Sequence, residues 1–141
     1  MFWLSHHHEA EWNRTYVLGG VRVCARCLGT YPVLLIALMW QISHRAPLQW
    51  QYDGPWAVGL MLPALLDWAW GRFRPQSGSN LWRTLTGVLL GLALGRTIFV
   101  HLVHPLPFWL LVQGAIVLAV ALPVLVLSAR QRGREDDSSH R

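Results

Sequence analysis

A chain of 141 residues is long enough for one compact domain, but with 53% hydrophobic and only 13% charged residues it is too poor in charge to cover that domain as an ordinary soluble protein. The net charge is +5, and every basic residue is Arg. These arginines flank apolar runs instead of forming one basic stripe, which argues against nucleic acid as a partner and for a lipid bilayer. Nine Trp residues fit the same reading, because indole favours the headgroup region. The mean hydropathy of +0.31 is modest only because polar ends and loops dilute it.

Taken in chain order, the first eight residues, Met1-Phe2-Trp3-Leu4-Ser5-His6-His7-His8, lack a basic region followed by an apolar core, so no cleavable signal peptide is expected. Gly19-Gly20 marks a turn that can fold this N-terminal segment back toward Cys24. Four apolar runs follow, predicting spans near 24–42, 55–70, 81–102 and 107–127. A membrane helix needs about 20 residues at 1.5 Å rise each; the third and fourth runs meet that, and the first two need their interfacial ends. A soluble bundle would need a polar face on each helix, and the fourth run offers only Gln113 and Ser128. The short links predict antiparallel neighbours. The expected fold is therefore all-α: a polytopic membrane bundle of about four transmembrane helices behind a short N-terminal cytoplasmic segment. Residues 1–128 form its one membrane domain, and the charged segment 129–141 reads as a disordered cytoplasmic tail.

Orientation follows from the arginines. Arg14, Arg22, Arg26, Arg72, Arg74, Arg83, Arg130, Arg132, Arg134 and Arg141 fall on one side of a four-span topology, and Arg45 alone on the other. That bias places both termini in the cytoplasm. Arg96 lies in the third span, 13 residues or roughly 20 Å beyond Arg83. It therefore sits toward the outer side, where it can snorkel or pair with Asp53. His44, His101 and His104 are also outer, as a possible metal or proton site or as plain interfacial contacts.

The strongest local signal is Cys24-Ala25-Arg26-Cys27, the only two cysteines in the chain. On the cytoplasmic side thiols stay reduced, which leaves a metal-ligand pair, a redox dithiol or simple packing. Two thiols are half of a tetrahedral zinc site; one or two of His6, His7, His8 and Glu9 from the folded-back segment are the candidate remaining ligands. Asp67 near the end of the second span is costly, and by default it suggests function, although an ion pair with Arg83 would also account for it. Arg26, Tyr31, Ser77, Asn80, Arg83 and Thr86 lie at the same level, and such convergence is what a site looks like. Gly87, Gly91 and Gly95 repeat a small-xxx-small pattern, for packing within the chain or in a homo-oligomer. Pro63 and Pro123 fall inside the second and fourth runs, where each is expected to kink its helix.

The block Val23-Cys24-Ala25-Arg26-Cys27-Leu28-Gly29-Thr30-Tyr31 resembles the signature of a family of prokaryotic membrane proteins catalogued as domain of unknown function 2085. So does Asp67 followed by Asn80-Leu81-Trp82-Arg83-Thr84-Leu85-Thr86-Gly87. Family members show C-H near the N-terminus, C-A-R-C-x-G-x-Y, then an Asp and N-x-x-R-x-x-T-G. The resemblance covers roughly residues 5 to 95 and implies a prokaryotic plasma (inner) membrane. It places Cys24, Cys27, Asp67, Asn80, Arg83 and Thr86 in motifs without supplying an activity. Here Ser5-His6 stands where many members have Cys-His, so a metal site would draw on one histidine and the two cysteines, with Asp67.

The leading expectation is a metal-binding membrane protein, with zinc or another transition metal as its cofactor. The alternatives are a membrane thiol oxidoreductase using Cys24 and Cys27, or a protein that handles an anionic lipid headgroup through Arg83 and Asn80. Metal transport is a further option, using the inner Cys/His and outer His groups of an oligomer.

Overall fold

The computed structural model describes residues 14–74 and 78–139. Within them the chain forms strand β1 (Thr15–Leu18), strand β2 (Val21–Cys24) and helices α1 (Ala25–Ser43), α2 (Trp50–Phe73), α3 (Asn80–Val103) and α4 (Phe108–Ser139). The architecture is the expected all-α bundle, preceded by a small hairpin. Leu18 pairs with Val21 and Thr15 with Cys24. The two-residue turn between the strands demands positive φ at both positions, which Gly19 (φ 55°) and Gly20 (φ 81°) adopt without a Cβ penalty.

Three helices among the described residues are long and apolar enough to cross a membrane: α1, α3 and the 108–131 part of α4. Helix α2 has the length, but it carries Asp53, Asp67 and Arg72. It extends beyond its apolar run at both ends. At the start, the Asp53 carboxylate accepts from the Gln49 N–H at 2.8 Å, satisfying one of the orphan donors of a helix N-terminus. At the end, Arg72 complements the helix dipole. Helix α4 likewise runs past its apolar stretch into Ala, Arg, Gln and Glu, all good helix formers. Ser79 caps α3, its hydroxyl accepting from Trp82 N at 3.2 Å. Helix α1 ends in a Schellman motif: Ala46 N donates to Gln41 O, Arg45 N donates to Ile42 O, and Arg45 holds the left-handed position at φ 46°.

Helix α3 is central. It packs against α1 and α2, and α4 packs against α2. The α1–α3 seam is close because its contact residues are small. A Cβ on Gly29 would run into the Thr84 carbonyl, and one on Gly87 into the Arg26 carbonyl. One on Gly91 would meet Thr30 O at 2.6 Å, and one on Gly95 would meet Ala37 Cβ at 3.1 Å. In lipid, where helix association rests on van der Waals contact, this approach holds the pair together. The Gly87/Gly91/Gly95 face is thus used inside the chain. Helix α4 is exposed along most of its length, with Leu111, Leu118, Leu122 and Leu127 facing outward.

Candidate functional site

The start of α1, the end of α2 and the start of α3 meet at one end of the bundle, and the hairpin covers them. Cys24 closes β2 and is buried, and Cys27 lies in the first turn of α1, half-buried. Both are free thiols in hydrogen-bonding contact with each other. Arg26, between them, donates to and pairs with Asp67 of α2. The sequence offered Arg83 as the partner of Asp67. The structure puts Arg26 on the carboxylate, with Arg83 near enough to feel its charge.

Arg83 is 6% exposed. Its Nη1 donates to Asn80 Oδ1 at 3.4 Å, and Asn80 Nδ2 donates to Thr15 O at 3.3 Å, which ties α3 to the hairpin. Arg14 and Arg26 lie near enough to act on Arg83 electrostatically. Three guanidinium groups, those of Arg14, Arg26 and Arg83, and the Asp67 carboxylate therefore act on one another here. Thr86, fully buried at 1% exposure, donates to Arg83 O at 3.1 Å and so serves the helix itself. Tyr31 is 63% exposed and is not enclosed with the others. His6, His7 and Ser77 lie outside the described residues. Among the described residues, no three His, Cys, Asp or Glu side chains gather closely enough to hold a metal ion. Two thiols are in place, and Asp67 is engaged by Arg26.

Two contributors were not singled out in the sequence. Arg14 Nη2 donates to Gly71 O at 2.7 Å, bridging the hairpin and the end of α2. Thr84 Oγ1 lies 2.9 Å from Asn80 O, 3.1 Å from Ala25 O and 3.4 Å from Tyr16 Oη. Thr84 falls at an unspecified position of the N-x-x-R-x-x-T-G block, so the motif did not single it out.

The opposite end carries a different polar group. Arg96 donates through Nε and Nη2 to Asp53 Oδ1 at 3.0 and 2.7 Å, through Nη1 to Gln41 Oε1 at 3.0 Å and through Nη2 to Pro47 O at 2.7 Å. The pairing with Asp53 expected from the sequence is present. The outer histidines make separate local contacts: His44 with Trp40, His101 Nδ1 accepting from Leu106 N, and His104 edge-on to Trp50.

A family model described as predicted membrane protein (DUF2085) matches residues 7–97. The match takes in the hairpin, α1, α2 and most of α3, and with them the whole end of the bundle that holds the thiols and arginines. No curated protein and no solved structure is significantly similar to the chain.

Proposed function

The chain belongs to the DUF2085 family of predicted membrane proteins, and we propose that it binds a transition-metal ion such as zinc through Cys24 and Cys27 at the cytoplasmic end of the bundle. The membrane is the prokaryotic plasma (inner) membrane, with both termini inside, because ten of the twelve arginines flank the spans on that side.

The observation that carries this reading is the register of the hairpin. Thr15 pairs with Cys24, so the start of the hairpin stands beside that cysteine. His7 and His6 are eight and nine residues before Thr15. At up to about 3.3 Å per residue they can reach the thiols with length to spare. A bound Zn²⁺ would cancel the charge of two thiolates, so the site could sit at the membrane edge without net charge. In this scheme Asp67 is a positioning residue: through Arg26 it fixes the first turn of α1, on which both cysteines depend.

Metal analysis by mass spectrometry on detergent-purified protein tests this. About one ion per chain is expected. It should be lost in the Cys24→Ser/Cys27→Ser double variant and strongly reduced in His6→Ala/His7→Ala. Metal-free protein whose thiols are rapidly alkylated at neutral pH would sink the proposal and favour a dithiol oxidoreductase.

A second reading rests on Arg14, Arg26 and Asp67 gathered near Arg83, with an excess of guanidinium groups suited to an anionic lipid headgroup. It predicts that Arg83→Ala abolishes binding to vesicles rich in anionic lipid while Cys24→Ser leaves it intact.

A further inference from the structure

At the Arg96 end of the bundle, the end of α1, the loop that follows it and the end of α3 leave an open groove of about 500 Å³. Phe99, 6% exposed, forms its floor. Ile42, Ala46, Leu48, Leu102 and Val103 line it, and Arg45 is the one lining residue with a polar side chain. Helices α1 and α3 are both long and apolar enough to span, and they end at Ser43 and Val103. The groove therefore lies where the hydrocarbon of a bilayer gives way to headgroups.

A charge is left over beside it. Among the described residues this end holds two arginines, Arg45 and Arg96, and one carboxylate, Asp53. Asp53 is committed to the clasp, with Arg96 on one oxygen and the Gln49 N–H on the other. The Arg45 side chain is exposed and has no hydrogen-bond or ion-pair partner among the described residues.

The turn does not account for this arginine either. Arg45 closes α1 through its backbone N–H, at a φ of 46° that glycine adopts without steric cost. Charge placement does not account for it, because ten of the twelve arginines flank the spans at the other end. An arginine at a membrane boundary reaches any headgroup by snorkelling. Here the apolar groove beneath the guanidinium adds a bed for a chain.

The geometry points to a binding site for one anionic phospholipid, its head on Arg45 and an acyl chain in the groove between α1 and α3. Aliphatic walls without a second hydrogen-bonding side chain suit a hydrocarbon chain. The unmatched guanidinium selects a net negative head, and its fork matches phosphate oxygens. A protein helix would dock through anchors spread over several turns, whereas this groove covers only the ends of two spans. Its volume falls within the ~300–1,000 Å³ of pockets that hold a small ligand, so it takes part of one chain and leaves the rest in the bilayer.

The test places the full chain in phosphatidylcholine nanodiscs with a trace of photoreactive lipid, a diazirine in one acyl chain. The probe is headed either by phosphatidylglycerol or by phosphatidylcholine. Peptide mapping after illumination reads the label in residues 42–48 and 99–103. The anionic probe is expected to label them roughly fivefold more than the zwitterionic one, the worth of one arginine beside an anionic lipid. In Arg45→Gln that ratio should fall to about one. Ala46→Phe keeps the arginine and fills the groove, and there too the ratio should fall, at unchanged helical content. Because the readout is a ratio within each variant, a general loss of stability does not mimic it. Label in residues 14–31 of the same digest reads the thiol end separately, and Arg45→Gln should leave its ratio unchanged. Equal labelling by the two probes in the parent chain would mean ordinary boundary lipid and would overturn the inference. So would a preference that survives Arg45→Gln. A preference that survives Ala46→Phe would reduce the site to a headgroup contact without a chain, and the proposal would fail.

Discussion

The two ends of this bundle are each joined by an arginine and an aspartate, yet they are built for different ends. At the Arg96 end one guanidinium meets one carboxylate. Arg96 on α3 is met by Asp53 of α2, Gln41 of α1 and the Pro47 carbonyl, so a single residue clasps two helices and a loop, with charge balanced and all three nitrogens engaged. At the other end Asp67 pairs with Arg26 and lies near Arg83, which also has Arg14 close by, beside two thiols outside any disulfide. Polar groups that cancel one another hold a structure together. Groups that exceed what the fold needs leave chemistry to be used. The balanced pair is therefore a clasp and the unbalanced one a candidate site, even though both look alike as ion pairs.

The sharpest way to break the comparison is to remove the clasp. Arg96→Ala leaves Asp53 uncompensated in a largely buried position, since the two side chains are 21% and 13% exposed. Breaking a buried pair by removing one partner typically costs about 3–5 kcal/mol, so detergent-solubilised protein should show a large drop in thermal midpoint. The metal content and thiol accessibility of the surviving folded fraction should be unchanged. A loss of metal in that fraction would show that the two ends are not independent.

The seam between the ends gives the next largest effect. Gly91 lies against the Thr30 carbonyl, so Gly91→Leu must push α1 off α3, an overpacking that costs about 1–3 kcal/mol. Gly114 has nothing within 4 Å of where its Cβ would be, and Gly114→Leu should stay within about 0.5 kcal/mol of the parent. Equal effects from the two substitutions, measured by thermal unfolding in the same detergent, would show that the seam does not hold the bundle.

How much of this could be read beforehand depends on which coordinate the sequence carries. Hydropathy and rise per residue give depth in the membrane. The spans were therefore legible to within a few residues for α1, and Asp53 and Arg96 could be set at one level as partners. Helix α2 was read short, because its first turn, Trp50 to Asp53, and its last, Gly71 to Phe73, are stabilised by an end-of-helix hydrogen bond and a terminal arginine that an apolar count does not see. Azimuth is what the sequence lacks. Arg26 and Arg83 share a depth, and only the packing of α1 on α3 decides that Arg26 takes Asp67. The turn at Gly19-Gly20 was plain, but strands of four residues carry too little alternation to declare the hairpin.

The smallest predicted effect sharpens the comparison most, because it acts only on the thiol end. Thr84 Oγ1 sits among Asn80 O, Ala25 O and Tyr16 Oη, so one hydroxyl joins α3, the start of α1 and the hairpin. Thr84→Val keeps the shape and removes the hydroxyl, a loss of about 1 kcal/mol. Most of that should appear locally. Amide exchange in residues 15–24 should quicken several-fold, while α2 and the outer half of α3 keep their protection, since their clasp at Arg96 is untouched. If protection instead fell evenly along α3, the hairpin would be an integral layer of the bundle. The register that sets Thr15 beside Cys24 could then not open without unfolding the whole, and exchange of any metal bound by the thiols would be as slow as global unfolding.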